Sequence, residues 1–364
     1  MALLRSNEII IPVASFFYAI GWFSLAFVFP IIAVSLNYGY ELTGFLGVFI
    51  GLPYALVSFS IKDGNIARIR KIVIFSEAIM LPVTVMLIFF YKSLFFPLLI
   101  VSDFATGTYW IASEIFIGQI GKDMLAERYS TAWGIPNLVA PLMAGVILEF
   151  TGYGELFVII AVFFLLAVFF NPRKESENTS TKNESKPLYM MFLPLFLIGL
   201  SSGYFYYVII PFLKISGIQI YLIGLVATIP PMVTAITFIA MNYIHSRNWI
   251  HYVTVSSSLL AFPLLLSVNH SLLFIVLVTI PSSAGVAIAF SKLLAYISTK
   301  SSPGTGVFYY ESMFGAGFMA GSFTGGILFS IMGFTSAFII FLPALVFAFL
   351  TVVSRKIVNT HRRN

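Results

Sequence analysis

The chain has 364 residues, of which 59% are hydrophobic and 9% charged, where soluble domains carry about 25% charged residues. Charge this sparse cannot cover a water-facing surface, so the composition excludes a soluble globular protein and points to a polytopic membrane protein. Cysteine is absent, which excludes disulfides and thiolate metal sites.

The apolar runs are continuous rather than alternating. Each backbone amide must be satisfied within its own segment in lipid, so the runs are expected to be helices. The first, residues 9–36, is too long for a signal-peptide core and lacks a small-residue cleavage site. It carries Tyr18 and Trp22 on one face. The second span, 42–61, carries Gly47 and Gly51, and a basic loop, KDGNIARIRK, leads to the third, 70–91, which contains Glu77. Span four, 94–118, contains Asp103, Trp110 and Glu114, and span five, 130–150, contains APLMAG, Ala140 to Gly145. Span six, 155–171, ends at the polar stretch PRKESENTSTKNESKP, Pro172 to Pro187, whose composition disfavours a packed core. Span seven, 188–213, carries Tyr204 and Tyr207 on one face. Spans eight to twelve are 217–242, 249–268, 271–295, 304–330 and 335–354. Lys292 lies near the end of span ten, and span eleven has Glu311 and the small-residue stripe Gly317, Gly321 and Gly325.

With the N-terminus in the cytoplasm, 18 of the 20 Lys and Arg fall on the inner side and only Lys92 and Lys214 on the outer. Such a split supports twelve spans with both termini inside a plasma membrane. The net charge of +6 is then a topology signal and not a nucleic-acid footprint.

A shift of 181 residues superposes Tyr129, Gly134, Gly145, Gly152, Phe157 and Ile159 on Tyr310, Gly315, Gly326, Gly333, Phe338 and Ile340. The same shift places Pro30, Ser35 and Tyr40 on Pro211, Ser216 and Tyr221. One offset near half the chain serves two distant regions, which reads as a parallel repeat. The expected organisation is an all-α membrane protein with a six-helix bundle at 1–171, a cytoplasmic linker at 172–187 and a second bundle at 188–364. Transporters built from such repeats hold their site near the midplane, where the repeats meet.

Twelve spans, a six-plus-six repeat, a charged central linker and this fifth span together resemble the major facilitator superfamily. The acidic–Arg pair Glu127-Arg128 followed by Ala140-Pro141-Leu142-Met143-Ala144-Gly145 is similar to the antiporter motif of that family's drug-efflux branch, with alanine at 140 and 144 where the motif has glycine. The loop between spans two and three is similar to the family's basic loop motif at Arg70 and Lys71, with Arg68 beside them. Asn65 stands where the motif has Asp, and Asp63 lies two residues away. The resemblance implies that spans two and eleven, and five and eight, meet across the halves, and that spans one, four, seven and ten line a central cavity. The small residues would then form sliding contacts or static close packing.

A carboxylate at mid-bilayer costs several kcal/mol and is a functional candidate. Asp103 lies about 13 Å into span four at roughly 1.5 Å per residue, and Trp110 and Glu114 share its face. If Asp103 faces the cavity, it carries protons or attracts a cationic substrate; otherwise it bonds to a neighbouring helix. Glu114 and Lys292 both fall near inner span ends, where they form a salt bridge that closes the inner side or snorkel to the interface. Glu311 occupies the position that the repeat gives to Ser130. Glu77 lies in a span that the family places peripherally, and a structural or interfacial role is expected. Tyr18, Trp22, Trp110, Tyr204 and Tyr207 are the candidate cavity aromatics, suited to a planar or cationic ligand or to ordinary packing.

The sequence has no His-Glu-x-x-His motif, and its four histidines, at 245, 251, 270 and 361, lie in or beside loops, so an enzyme is not expected. No phosphate-binding loop occurs, which disfavours a primary pump. The sequence reading is a secondary transporter of small organic solutes, proton-coupled and exporting, with no cofactor or metal, no nucleic-acid partner and a monomeric state. Uptake of sugars or metabolites, and a non-transporting sensor of the same fold, are the alternatives.

Overall fold

The computed structural model describes residues 7–61, 64–120, 125–170, 172, 192–241, 243, 249–300 and 302–361. Regular structure among them is helical throughout, in twelve segments: α1 (Asn7–Ser35), α2 (Tyr40–Ile61), α3 (Ile66–Phe90), α4 (Phe95–Ile120), α5 (Leu125–Phe150), α6 (Tyr153–Phe169), α7 (Phe192–Ile215), α8 (Ile220–Met241), α9 (Trp249–Leu260 with a 3₁₀ extension, Phe262–Ser267), α10 (Leu272–Lys300), α11 (Pro303–Met332) and α12 (Thr335–His361). Eleven are long and apolar enough to cross a membrane, and α6 is an apolar helix of 17 residues. These helices match the twelve spans expected from hydropathy, with ends displaced by a few residues. Most of the expected linker, with Asp63, lies outside the described residues.

Local chemistry fixes several ends. The Asn65 side chain accepts from the Arg68 backbone amide at 2.9 Å and caps the start of α3, an arrangement that satisfies an orphan donor of the first turn. Gly152 and Gly333, 181 residues apart, both take positive φ, at the turns into α6 and α12. Their equivalence shows the repeat in the backbone itself, since only glycine adopts such angles freely.

Within the first half α1 packs on α5 and α6, and α3 on α4 and α6; within the second, α7 packs on α11, and α9 on α10 and α12. The two six-helix bundles meet along two seams, α2 against α11 and α5 against α8. Helix α7 is interrupted by a π-helical turn, Phe205–Ile209, of a kind often found at functional sites.

We call the face where α1 begins the basic face: Arg68, Arg70, Lys71 and Arg128 sit near helix ends there and Lys292 lies in the half of α10 towards it, while Lys92 and Lys214 sit on the opposite face.

Candidate functional site: the seams between the two halves

Helices α2 and α11 run antiparallel and touch along their whole length. At the opposite face, Ser330 Oγ donates to Glu41 Oε1 at 2.7 Å. Nearer the basic face, Ser58 and Ser312 share a hydrogen bond of 2.9 Å. Between them small residues bring the backbones together. A Cβ on Gly326 would lie 3.0 Å from the Gly44 Cα, and one on Gly47 would lie 2.6 Å from Ser322 Oγ and 2.9 Å from the Tyr207 ring. Gly51 and Gly315 likewise approach each other's helix.

The stripe Gly317, Gly321 and Gly325 does not take part in this seam, which corrects the expectation of sliding contacts there. A Cβ on Gly317 or Gly321 would sit on the carbonyls of Phe196 and Leu200, and Gly325 lies under Tyr204 and Val208, all on α7. Helix α11 is sandwiched between α2 and α7, so it presents two small-residue faces, and Gly315, Ser322 and Gly326 form the one between the halves.

The second seam is built in the same way around APLMAG. Ala140 and Ala144 are fully buried. A Cβ on Gly145 would lie 3.3 Å from both the Gly224 and Tyr221 Cα atoms, and the Pro141 carbonyl faces Gly224. The Ile220 backbone amide donates to Glu149 Oε2 at 2.7 Å. Pro141 leaves α5 a single helix from Leu125 to Phe150.

Glu114 on α4 and Glu311 on α11 bring their carboxyl groups within hydrogen-bonding reach of each other across the halves. They lie six and eight residues from the basic-face ends of their helices, or about 9 and 12 Å deep at 1.5 Å per residue. Glu311 is 4% exposed, whereas Glu114 keeps part of its surface accessible. Tyr54, Tyr129 and Tyr310 lie within electrostatic reach of the pair. The expected Glu114–Lys292 bridge is not formed in this structure. Lys292 turns toward α8 and α9, where Nζ donates to the Met241 carbonyl at 3.3 Å and stands 5.4 Å from the Tyr252 ring centroid. Glu114 lies six residues from the basic-face end of α4 and Lys292 eight from that of α10, deeper than expected, and their helices point them in different directions.

Asp103 is buried, and neither carboxylate oxygen has a hydrogen-bond partner among the described residues. The Tyr207 hydroxyl, also unpartnered, and Tyr54 lie within its electrostatic reach. Asp103 is eight residues from the start of α4 and Tyr207 eight from the end of α7, so both sit about 12 Å below the opposite face. One comes from each half, and Tyr207 also packs on Phe318 of α11.

The other expected cavity aromatics divide between the site and the bundle interiors. Trp110 meets Tyr129 edge-on at 6.2 Å and stacks with Phe23. Tyr18 is fully buried within the first half, stacked on Tyr109 at 3.7 Å and bonded to Thr106 Oγ1 at 3.1 Å; Trp22 is buried one turn above. Tyr204 turns into the second half, where it bonds Ser336 at 3.1 Å and packs edge-on against Phe341. The π turn begins just after Tyr204 and changes the register, so Tyr204 and Tyr207, expected on one face, diverge: both touch α11, but Tyr204 reaches on to α12 and Tyr207 to α2. In the basic loop, Arg70 Nε donates to the Pro172 carbonyl at 2.6 Å, tying α3 to the chain leaving α6, while Arg68 and Lys71 are exposed. A separate cavity of about 70 Å³ lies inside the second half, lined mainly by α7 and α10 and crossed by a Ser201–Ser282 hydrogen bond.

The fold is shared by solved transporters. The chain superposes on the nucleoside transporter NupG with a TM-score of 0.70 at 14% identity, covering 96% of this chain and 99% of that one. It superposes on a POT family transporter in complex with a thioalcohol-conjugated peptide with a TM-score of 0.75 at 10% identity, covering 96% of each. A bacterial homologue of the human lysosomal transporter Spinster, inward-facing and unoccupied, gives 0.67 at 14% identity over 95% and 96%. No curated protein matches the chain by sequence. The family profile of the Major Facilitator Superfamily matches residues 13–306. The chain belongs to the Major Facilitator Superfamily.

Proposed function

We propose that the chain is a secondary transporter that exports small organic solutes by alternating access of its two halves, coupled to protons. The observation that carries this reading is the pairing of the Glu114 and Glu311 carboxyls across the halves, which we infer to be hydrogen-bonded. A bond between two carboxyls requires a proton, because an ionised carboxylate is an acceptor only. If the halves part at the basic face, the pair breaks and both groups enter water, where the proton leaves. Without it the two carboxylates repel, by about 4 kcal/mol for unit charges roughly 4 Å apart at an effective dielectric near 20. Proton load therefore favours closure at the basic face, and its loss favours opening. A ligand shifts such an equilibrium only through its different affinity for the two states, and the pair supplies that difference for the proton.

Asp103 and Tyr207 are proposed to meet the substrate. They are buried, unpartnered and on opposite halves, and Trp110 lies two turns further along α4. A carboxylate beside aromatic rings favours a solute with a cationic or donor group. Export is supported by the antiporter-like stretch of α5. The positive-inside rule places the basic face in the cytoplasm. The proposed frame is two halves, 1–171 and 188–364, joined by a cytoplasmic linker at 172–187 in a plasma-membrane monomer.

The test is proton flux in reconstituted vesicles with an acid interior, challenged with organic cations, nucleosides, short peptides, sugars and carboxylates. One class is expected to dissipate the gradient. Glu311→Gln is expected to lower that flux about tenfold or more, since a hydrogen bond to a charged group is worth roughly 1.5–3 kcal/mol. Ser130→Ala, at the repeat-equivalent position, is expected to leave it unchanged, and Asp103→Asn to weaken the response to the active class. Equal flux in wild type and Glu311→Gln would overturn the coupling role, and no movement of any labelled solute would leave the sensor reading.

A further inference from the structure

Glu77 of α3 is a buried acid of the first half that has no part in the transport scheme above. It is 0% exposed, and neither carboxylate oxygen has a hydrogen-bond partner among the described residues. Its side chain lines a cavity of about 10 Å³ together with Tyr109, Ser113 and Pro172, about the space that one water occupies. Ser113 Oγ is also buried, and it stands beside the Tyr109 hydroxyl without hydrogen-bonding geometry. Three buried oxygens without partners therefore face one water-sized space, and native structures rarely leave such groups unsatisfied.

The surroundings decide what fills the space. From α1, Ile11 and Ala14 line the cavity, while Ser15 bonds the Tyr109 hydroxyl at 3.0 Å and Tyr18 lies within electrostatic reach. From α4, Phe116 lines it beside Tyr109 and Ser113. The buried side chains of α6, also packed on α3, are apolar: Leu156, Phe157, Ile160, Phe164 and Ala167. The nearest cations along α3 are Lys71, which is exposed, and Arg70, two turns away and bonded to the Pro172 carbonyl. No positive group faces Glu77 from these elements among the described residues, and an ionised carboxylate left there would cost several kcal/mol.

We propose that Glu77 is a second proton-binding site, separate from the Glu114–Glu311 pair. A neutral carboxyl and one buried water are held there between α1, α3 and α4, and the site is loaded from the basic face past Pro172. The water accepts from the carboxyl O–H and donates to the other Glu77 oxygen and to Ser113 Oγ, which satisfies all three orphaned oxygens. A sodium ion is disfavoured because the cavity offers the two oxygens of one carboxylate and two hydroxyls, one already bonded to Ser15, and is otherwise apolar.

The test is infrared difference spectroscopy of the full chain in vesicles at neutral pH, with and without sodium. The wild type is expected to show a protonated-carboxyl stretch that shifts in heavy water. That band should disappear in Glu77→Gln and persist in Glu311→Gln and Glu114→Gln, which separates this site from the proposed transport pair. Ser113→Ala, which alters the cavity and leaves the carboxyl in place, should shift the band's frequency. It also serves as the test if Glu77→Gln fails to fold. A spectrum unchanged in Glu77→Gln, a band insensitive to Ser113→Ala, or a band abolished by sodium in the wild type would each overturn the proposal.

Discussion

The two seams that join the halves are related by the repeat, and their likeness and their difference are both instructive. Gly145 of α5 meets Tyr221 and Gly224 at the start of α8; Gly326, its equivalent on α11, meets Tyr40 and Gly44 at the start of α2. Tyr40 and Tyr221 are themselves equivalent by the 181-residue shift. Beyond each crossing a glutamate closes the opposite face, Glu149 on the Ile220 amide and Glu41 on the Ser330 hydroxyl. Towards the basic face the seams diverge. The α2–α11 seam has Glu311, reached by Glu114 from α4, and the Ser58–Ser312 bond. The equivalent position on α5 is Ser130, which is exposed. The repeat thus supplies a common hinge-like crossing, and the chemistry has been added to one seam only.

This comparison can be broken most sharply at the crossings. Gly145→Val and Gly326→Val each place two methyls against facing backbone, and overpacking of this kind costs typically about 1–3 kcal/mol. Both variants should lose most transport in the vesicle assay, to similar extents, if the seams are mechanically equivalent. A large loss in one and normal flux in the other would show that only one seam closes during the cycle. A smaller effect is expected at the opposite-face contacts. Glu149→Gln and Glu41→Gln each weaken one hydrogen bond, worth about 0.5–1.5 kcal/mol. Each should shift the balance toward opening at that face by a few fold, read as faster labelling of a cysteine introduced beside the crossing. Unchanged labelling in both would remove the latches from the account.

The seams were legible in the sequence because small residues spaced along a helix mark a close approach, and the resemblance said which helices pair. Which face of α11 met which neighbour was not legible, since glycine spacing marks a narrow face without naming what lies against it. Position along a span gave the depth of Asp103 and the side towards which Glu114 and Lys292 lie, but Lys292 is deeper than expected because α10 runs on to Lys300. Direction around the helix was lost, because opposite charge suggested Lys292 as the partner of Glu114, whereas the fold offers a second acid. The peripheral place that the resemblance gives α3 hides the burial of Glu77. The buried stripe of α3, which runs through Val73, Ser76, Glu77, Met80 and Thr84, holds three polar residues, and that grouping was the available signal that this face turns inward.

The chain contains no cysteine, so a spin-label pair can be introduced without background. The most direct measurement is the distance between labels at Ser60→Cys, near the end of α2, and Tyr243→Cys, beyond α8, both exposed, on the basic face and on opposite halves. The account predicts a short distance at acidic pH that lengthens as pH rises and the Glu114–Glu311 proton is lost, with this response absent once Glu311→Gln is added. A distance that ignores pH, or one that responds equally with Gln at 311, would contradict the claim that this carboxyl pair couples the proton to the opening of the halves.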